Sequence, residues 1–345
     1  MEPLYAYPGT FGPPHRGHAA IAVRAAALFP NLTIICSKNP EKDNQWFSPD
    51  ETKTLWSTYD LPANVRVITL DEFRAEKNDP SRIVMVRGLR GPEDVAYEAK
   101  VLVYNKEHYG IDHFFYLFSE PALRALSSSD LRRAAAELDL PHLGEGASPL
   151  DASALLEKAL GLASLHFVVG PPGAGKSTVL KALVGLDAAY CPVNTDHFLD
   201  DLKPRIAEHF GSNDLVKVAI QHSEELKAFV APIFLERLMR SLRAAPQAAR
   251  IIVEVAYGLM PDKAMYRWLG GKVIYIGCAD NAENRRRLLD RGTPEHLPFL
   301  DTIPGLAESL AIAKEKKLKL VSVDTRRNIE DAARQLDRLI KEQGT

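Results

Sequence analysis

Two different glycine-punctuated strings, one in each half of the chain, each stand between an apolar run and a helical stretch. They constrain the fold more than any other feature of this 345-residue chain. The first is Gly9-Thr10-Phe11-Gly12-Pro13-Pro14-His15-Arg16-Gly17-His18, between the apolar run 4–7 and an alanine-rich, Pro-free stretch at 19–29. The second is Gly170-Pro171-Pro172-Gly173-Ala174-Gly175-Lys176-Ser177, after the apolar run 165–169 and at the start of a helix over 176–183. Glycines let backbone N–H groups approach an anion closely, and a helix N-terminus adds a favourable dipole. A strand that passes through such a loop into a helix is a building block of a parallel α/β sheet. Two of them predict an α/β chain with two doubly wound parallel-sheet domains, each built to hold phosphate.

The remaining pattern agrees. Strands are expected at 4–7, 32–36, 65–70, 83–86 and 114–118, with helices at 19–29, from Ser48-Pro49-Asp50-Glu51, at 92–109, and from Ser127 to about 138. A stretch rich in Gly, Pro and Ser at 141–151 reads as a linker, followed by a connecting helix at 152–163. The expected division is therefore 1–145, a joining segment at 146–163, and 164–345. In the second half, strands are expected at 165–169, 190–193, 250–255, 272–277 and 318–323, with a closing helix at 328–342. The mostly helical stretch 204–245 is placed to form an acceptor-binding side.

Composition narrows the class. The chain is 46% hydrophobic and 26% charged, with a net charge of −2, which gives no support for a nucleic-acid or membrane partner. Cys36, Cys191 and Cys278 lie far apart, so neither a disulfide framework nor a zinc site is expected and a reducing cytoplasm is the better reading. The start, Met-Glu-Pro, is unlike a signal peptide, and no apolar run is long enough to span a bilayer.

In the first string, His15 and His18 flank Gly17, where they can donate hydrogen bonds to charge developing on an α-phosphate. This segment resembles the HxGH signature of the nucleotidyltransferase superfamily. Val86-Arg87-Gly88-Leu89-Arg90 with Asp94, Tyr97-Glu98 and Asn105 is similar to a block of phosphopantetheine adenylyltransferases. Ser127-Ser128-Ser129-Asp130-Leu131-Arg132 resembles that family's late triphosphate-binding motif. The matches run in family order over about residues 4–140.

The resemblance implies transfer of AMP from ATP to 4′-phosphopantetheine, or a similar phosphate ester, with release of pyrophosphate. It implies that Thr10 binds the acceptor phosphate and His18 stabilises the transition state, with His15 in the family's His-or-Thr position. Lys42 and Arg87 are implied to hold phosphates, and Phe11, Arg90, Glu98, Ser127, Ser128 and Ser129 to form the nucleotide site. Gly12 stands where the family usually has Asp, and Thr52 where an arginine is common. Nicotinamide mononucleotide is the alternative acceptor, because its adenylyltransferases share the first string and some are fused to a ribosylnicotinamide kinase. Bacterial relatives form hexamers, so a homo-oligomer is open.

The second string satisfies G-x-x-x-x-G-K-[ST], a P-loop. Gly170, Gly173 and Gly175 would wrap phosphates with backbone amides. Lys176 would reach the β/γ oxygens, Ser177 would bind Mg²⁺, and Thr178 lies beside them. Asp196 reads equally as the base for an acceptor hydroxyl or as a helix N-cap. Glu254 reads as an acid reaching Mg²⁺ through water or as an ordinary strand residue. Arg285, Arg286, Arg287 and Arg291 read as a lid that clamps phosphates, with Arg287 and Arg291 as the ligands, or as a solvated basic face. This half resembles the broad group of P-loop small-molecule kinases. The Asp-x-Pro-Leu-Leu segment of dephospho-CoA kinases is absent, its nearest counterpart being Glu254-Val255-Ala256-Tyr257-Gly258-Leu259. The implied function is a bifunctional enzyme using ATP and Mg²⁺, its kinase acceptor open and dephospho-CoA one candidate. The alternative is a P-loop half that binds ATP only to regulate the first site.

Overall fold

The computed structural model describes residues 2–39, 45–195, 197–255, 271–278, 281–301, 303–326 and 328–343. The chain divides into two compact units, Met1–Leu155 and Leu156–Thr345.

In the first unit, β1 (Leu4–Gly9), β2 (Leu32–Cys36), β3 (Val65–Thr69), β4 (Ile83–Leu89) and β5 (His113–Phe118) form one sheet in the order β3-β2-β1-β4-β5. All pairings are parallel, with Ala6 beside Thr33 on one side and Met85 on the other. Every residue of β2 is buried, as expected for a parallel strand covered on both faces. On one face, α1 (Arg16–Leu28) buries Ile21, Ala22, Ala25 and Ala26. Its small residues let it sit close to Tyr7, Leu32, Ile34 and Val86. α2 (Pro49–Trp56) opens with a reciprocal capping box between Ser48 and Glu51. α3 (Leu70–Ala75), α4 (Val95–Tyr109) and α5 (Ser128–Glu137) complete the crossovers.

Three local readings change. α1 begins at Arg16 rather than at Ala19, because His15 is its N-cap and its ring accepts the Gly17 N–H. β4 continues to Leu89, so Arg87 and Gly88 pair with Tyr116 and Leu117 instead of lying in a loop. The stretch 141–151 is not an open linker. α6 (Leu140–Gly146) and α7 (Pro149–Leu160) occupy it, and Leu140, Leu143, Ala147 and Ala152 are buried. The Pro and Ser residues there are helix-start signals: Pro141 sits in the first turn of α6, while Ser148 and Asp151 cap α7 reciprocally.

In the second unit, β6 (Ser164–Val169), β7 (Tyr190–Asn194), β8 (Arg250–Glu254), β9 (Lys272–Gly277) and β10 (Lys319–Asp324) form a parallel sheet in the order β10-β9-β6-β8-β7. β6 is buried throughout. α8 (Lys176–Leu186) follows the second glycine string. Then α9 (His197–Asp200), α10 (Lys203–Phe210), α11 (Leu215–Gln221) and α12 (Ser223–Arg243) fill the insertion, where Leu202, Ile206 and Val218 form an apolar cluster of their own. α13 (Asn281–Asp290), α14 (Leu297–Leu300) and α15 (Leu306–Lys316) precede β10, and α16 (Ile329–Gln343) packs Leu336 and Ile340 into the core beside α8. No helix among the described residues is long and apolar enough to cross a membrane.

Each sheet has its first strand in the middle, with crossovers leaving in opposite directions. β1 lies between β2 and β4, and β6 between β8 and β9. The crevice at the carboxyl ends of such strands is where ligands of open α/β sheets bind. Both glycine strings leave from that end.

Candidate functional site

In the first unit the loop after β1 is pinned from several sides. Ser37 donates its backbone N–H to Gly9 O (3.0 Å). Ser128 Oγ donates to Pro13 O (2.7 Å), and Arg132 Nη1 donates to Gly12 O (2.8 Å). The serine motif and the histidine string, 115 and 120 residues apart in the chain, are therefore joined directly. Ser127 is the N-cap of α5 and hydrogen-bonds Asp130, while Ser129 Oγ accepts from Arg132 Nη2 (3.0 Å). Thr10 lies partly exposed just beyond the end of β1. Lys42 lies outside the described residues.

His15 and His18 stack with ring centroids 3.7 Å apart. The Nδ1 of His15 accepts the Gly17 N–H (3.1 Å), which leaves Nε2 as its N–H donor. Burial, assisted by the charge of Arg90, lowers the His15 pKa to about 4. Burial, with His15 and Arg90 adding to it, lowers His18 well below the usual histidine range. Both rings are thus neutral at pH 7.

Arg87 and Phe11 stand differently from a simple ligand reading. The Arg87 fork makes two 2.7 Å bonds to Glu98, and its Nη1 donates to Pro8 O (3.0 Å). It braces β4, α4 and the end of β1. Phe11 is buried among Tyr7, His18 and Trp56 at a positive φ of 39°. Arg90, half exposed, is held by Asp94 and stays close enough to the histidines to shift both. Asn105 bonds back to Val101 O within α4.

In the second unit the P-loop needs its glycines. A Cβ on Gly170 would lie 2.0 Å from Ile276 O, and one on Gly173 2.6 Å from Asn284 O, both at positive φ. Lys176 Nζ donates to Gly170 O (2.8 Å) and Pro171 O (3.3 Å). Ser177 Oγ donates to Glu254 Oε1 (2.7 Å), so the two residues read as metal-binding meet. A cavity of about 530 Å³ brings them together with Lys176, Arg287, Arg291 and His296. The arginines separate by direction. Arg285 and Arg286 make surface ion pairs with Asp301, Glu283 and Asp290, while Arg287 shares Glu283 (2.8 Å) and also donates to Thr325 Oγ1 (3.2 Å) and O (2.8 Å). Thr325 in turn donates to Ala174 O (2.7 Å), which ties Arg287 to the P-loop. Thr178 is exposed at the start of α8, and Asp196 lies outside the described residues.

In the sequence, Asp324-Thr325 follows the last expected strand, where related kinases contact the adenine ring, and Arg132 has no role apart from its motif. The Arg of the serine motif was in view, but its bond to Gly12 O depends on the fold rather than on local pattern.

The first unit is a Rossmann-like nucleotidyltransferase domain, and the second is a five-stranded parallel sheet whose central strand β6 leads into the P-loop sequence. The cytidylyltransferase-like family model matches residues 6–134. A phosphopantetheine adenylyltransferase of Corynebacterium efficiens is 35% identical over 116 residues, 33% of this chain and 72% of the relative. That of Thermotoga neapolitana is 31% identical over 156 residues, 44% of this chain and 94% of the relative. A shikimate kinase from Acinetobacter baumannii aligns over 52% of this chain and 93% of its own at 19% identity, with a TM-score of 0.34, too low to add to what the sheet order shows. The chain belongs to the phosphopantetheine adenylyltransferase family.

Proposed function

We propose that the first unit transfers AMP from ATP to 4′-phosphopantetheine. The second unit is then an ATP- and Mg²⁺-dependent phosphotransferase acting on a small-molecule hydroxyl. The observation that carries the first reading is the joining of the histidine loop to the N-terminus of α5 through Ser128 and Arg132. It lines up His15, His18 and the α5 amides at the carboxyl end of β1, where a triphosphate can lie across them.

In this reading a phosphate oxygen of the acceptor attacks the α-phosphorus of ATP, the bond from that phosphorus to the bridging oxygen breaks, and pyrophosphate leaves. Thr10 holds the acceptor phosphate. Neutral His18 and His15 donate N–H bonds to the charge that develops, and Ser129, Arg132 and the free amides of α5 hold the departing phosphates. Lys42 is assigned to the same phosphates and Arg90 to the nucleotide. Arg87 and Glu98 act by holding β1 and β4 in place.

For the second unit, a hydroxyl and a carboxylate 2.7 Å apart are hard oxygen donors of the kind Mg²⁺ takes, and Ser177 and Glu254 would hold it. The ion would neutralise charge on the β- and γ-phosphates. Lys176, now on two P-loop carbonyls, has the reach to exchange them for phosphate oxygens, and Arg287 on α13 and Arg291 just after it line the same cavity. Asp196 is assigned as the base that takes the acceptor proton.

Mass analysis of products after incubation with ATP and Mg²⁺ tests the acceptor. Dephospho-CoA from 4′-phosphopantetheine is the expected product, and further conversion to CoA would name the kinase acceptor. NAD from nicotinamide mononucleotide, with no reaction of 4′-phosphopantetheine, would overturn the assignment.

A further inference from the structure

We propose that Trp56 and Tyr59 are positioning residues for His18, acting through Phe11 and anchored on the buried carboxyl of Asp151. The inference rests on the nucleotidyl-transfer reading of the first unit. A catalytic histidine usually has one ring nitrogen fixed by a hydrogen bond, which sets both its tautomer and its plane. His15 follows that rule through Gly17, but the buried Nδ1 of His18 has no hydrogen-bond partner among the described residues. Packing sets the plane of His18 instead. His15 stacks on it at 3.7 Å, and Phe11 meets it edge-on at 5.0 Å and 79°.

Phe11 is itself held by rings. Tyr7 lies 5.1 Å away, and Trp56 lies 5.2 Å away at 85°. Trp56 is fully buried and its Nε1 has no hydrogen-bond partner among the described residues. A buried indole normally finds one, so shape is what Trp56 contributes here. Tyr59 meets Trp56 at 5.7 Å, and its hydroxyl donates to Asp151 Oδ2. Asp151 is fixed in the first turn of α7 by its bonds with Ser148, and Ser148 Oγ also accepts from Thr58 (2.8 Å). Neither Trp56 nor Tyr59 belongs to the glycine string. A smaller ring at 56 would leave a gap beside Phe11 that close-packed interiors fill by rotating a neighbour.

The test uses the full chain carrying Trp56→Phe or Tyr59→Phe. Misplacing a reacting group by about 1 Å costs on the order of 100-fold. We expect kcat for adenylyl transfer to fall roughly 10- to 100-fold in Trp56→Phe and less in Tyr59→Phe, with KM for ATP unchanged. The His18 ring resonances in NMR should shift in both variants. Wild-type kcat together with unshifted His18 resonances in Trp56→Phe and Tyr59→Phe would overturn the proposal. The NMR readout does not depend on turnover. A protein with no adenylyl transfer but shifted His18 resonances would sink the functional reading and leave the packing claim standing.

Discussion

Neutral histidines bind a triphosphate differently from charged ones, and His15 and His18 are neutral in the free site because burial and Arg90 oppose their protonation. In the proposed reaction they would act as N–H donors to developing charge rather than as a fixed positive pair. Losing one donor of this kind typically costs 10²–10³ in rate, so His18→Ala should lower kcat for adenylyl transfer by about that factor in a steady-state assay. The same shift has a stability consequence. The folded His15 pKa, about 4, lies below the ordinary histidine value of 6.5, so the unfolded chain binds more protons between those values. Stability from the neutral ring is complete above about pH 6.5 and is lost as pH falls toward 4. His15→Asn, which cannot protonate, should flatten that part of the melting-temperature profile. Asp151 runs the other way: burial raises its pKa to about 7, so its contribution is greatest below the ordinary carboxylate range and declines as pH rises toward 7. Asp151→Asn should therefore gain in melting temperature relative to wild type between pH 5 and pH 8. The histidines were legible because residue type and spacing alone announce them. Asp151 and Arg132 were not, because the partners that give them meaning lie 92 and 120 residues away.

At the scale of elements, both sites are built where a helix N-terminus meets the carboxyl end of a central strand. At the P-loop the proposed ligand-binding group is the backbone itself. Gly170→Ala would drive a Cβ into Ile276 O, so it should abolish ATP binding at the second unit by calorimetry while leaving adenylyl transfer intact. In the first unit, Ser128→Ala removes one tie between α5 and the histidine loop. It should raise KM for ATP several-fold with a smaller change in kcat, since ground-state binding is what the tie organises. The strands were legible in the sequence because parallel strands buried on both faces form continuous apolar runs, as in Leu32–Cys36 and Lys272–Gly277. The stretch 141–151 misled because Pro, Ser and Gly serve both as loop residues and as helix caps. Only the burial of Leu140 and Leu143 distinguishes the two. β4 was cut short for a related reason: Arg87 and Gly88 look like loop residues, but the buried bridge to Glu98 lets a strand carry the arginine.

For the whole molecule, two parallel sheets with their first strands central carry two glycine-rich loops on one chain, each at the carboxyl end of its central strand. The sequence made this division visible through two unrelated glycine strings. It could not disclose how far the α7 region is folded into the first unit, because that depends on packing at Leu140, Leu143 and Ala152 rather than on composition. The most direct test of the central claim follows label from ATP into acceptor in the full chain, with ATP labelled at either the α- or the γ-phosphate, in wild type, His18→Ala and Lys176→Ala. His18→Ala should stop transfer of the α-label alone, and Lys176→Ala transfer of the γ-label alone. Loss of both transfers in either folded variant, or transfer of only one label by the wild type whatever acceptor hydroxyl is offered, would contradict that claim.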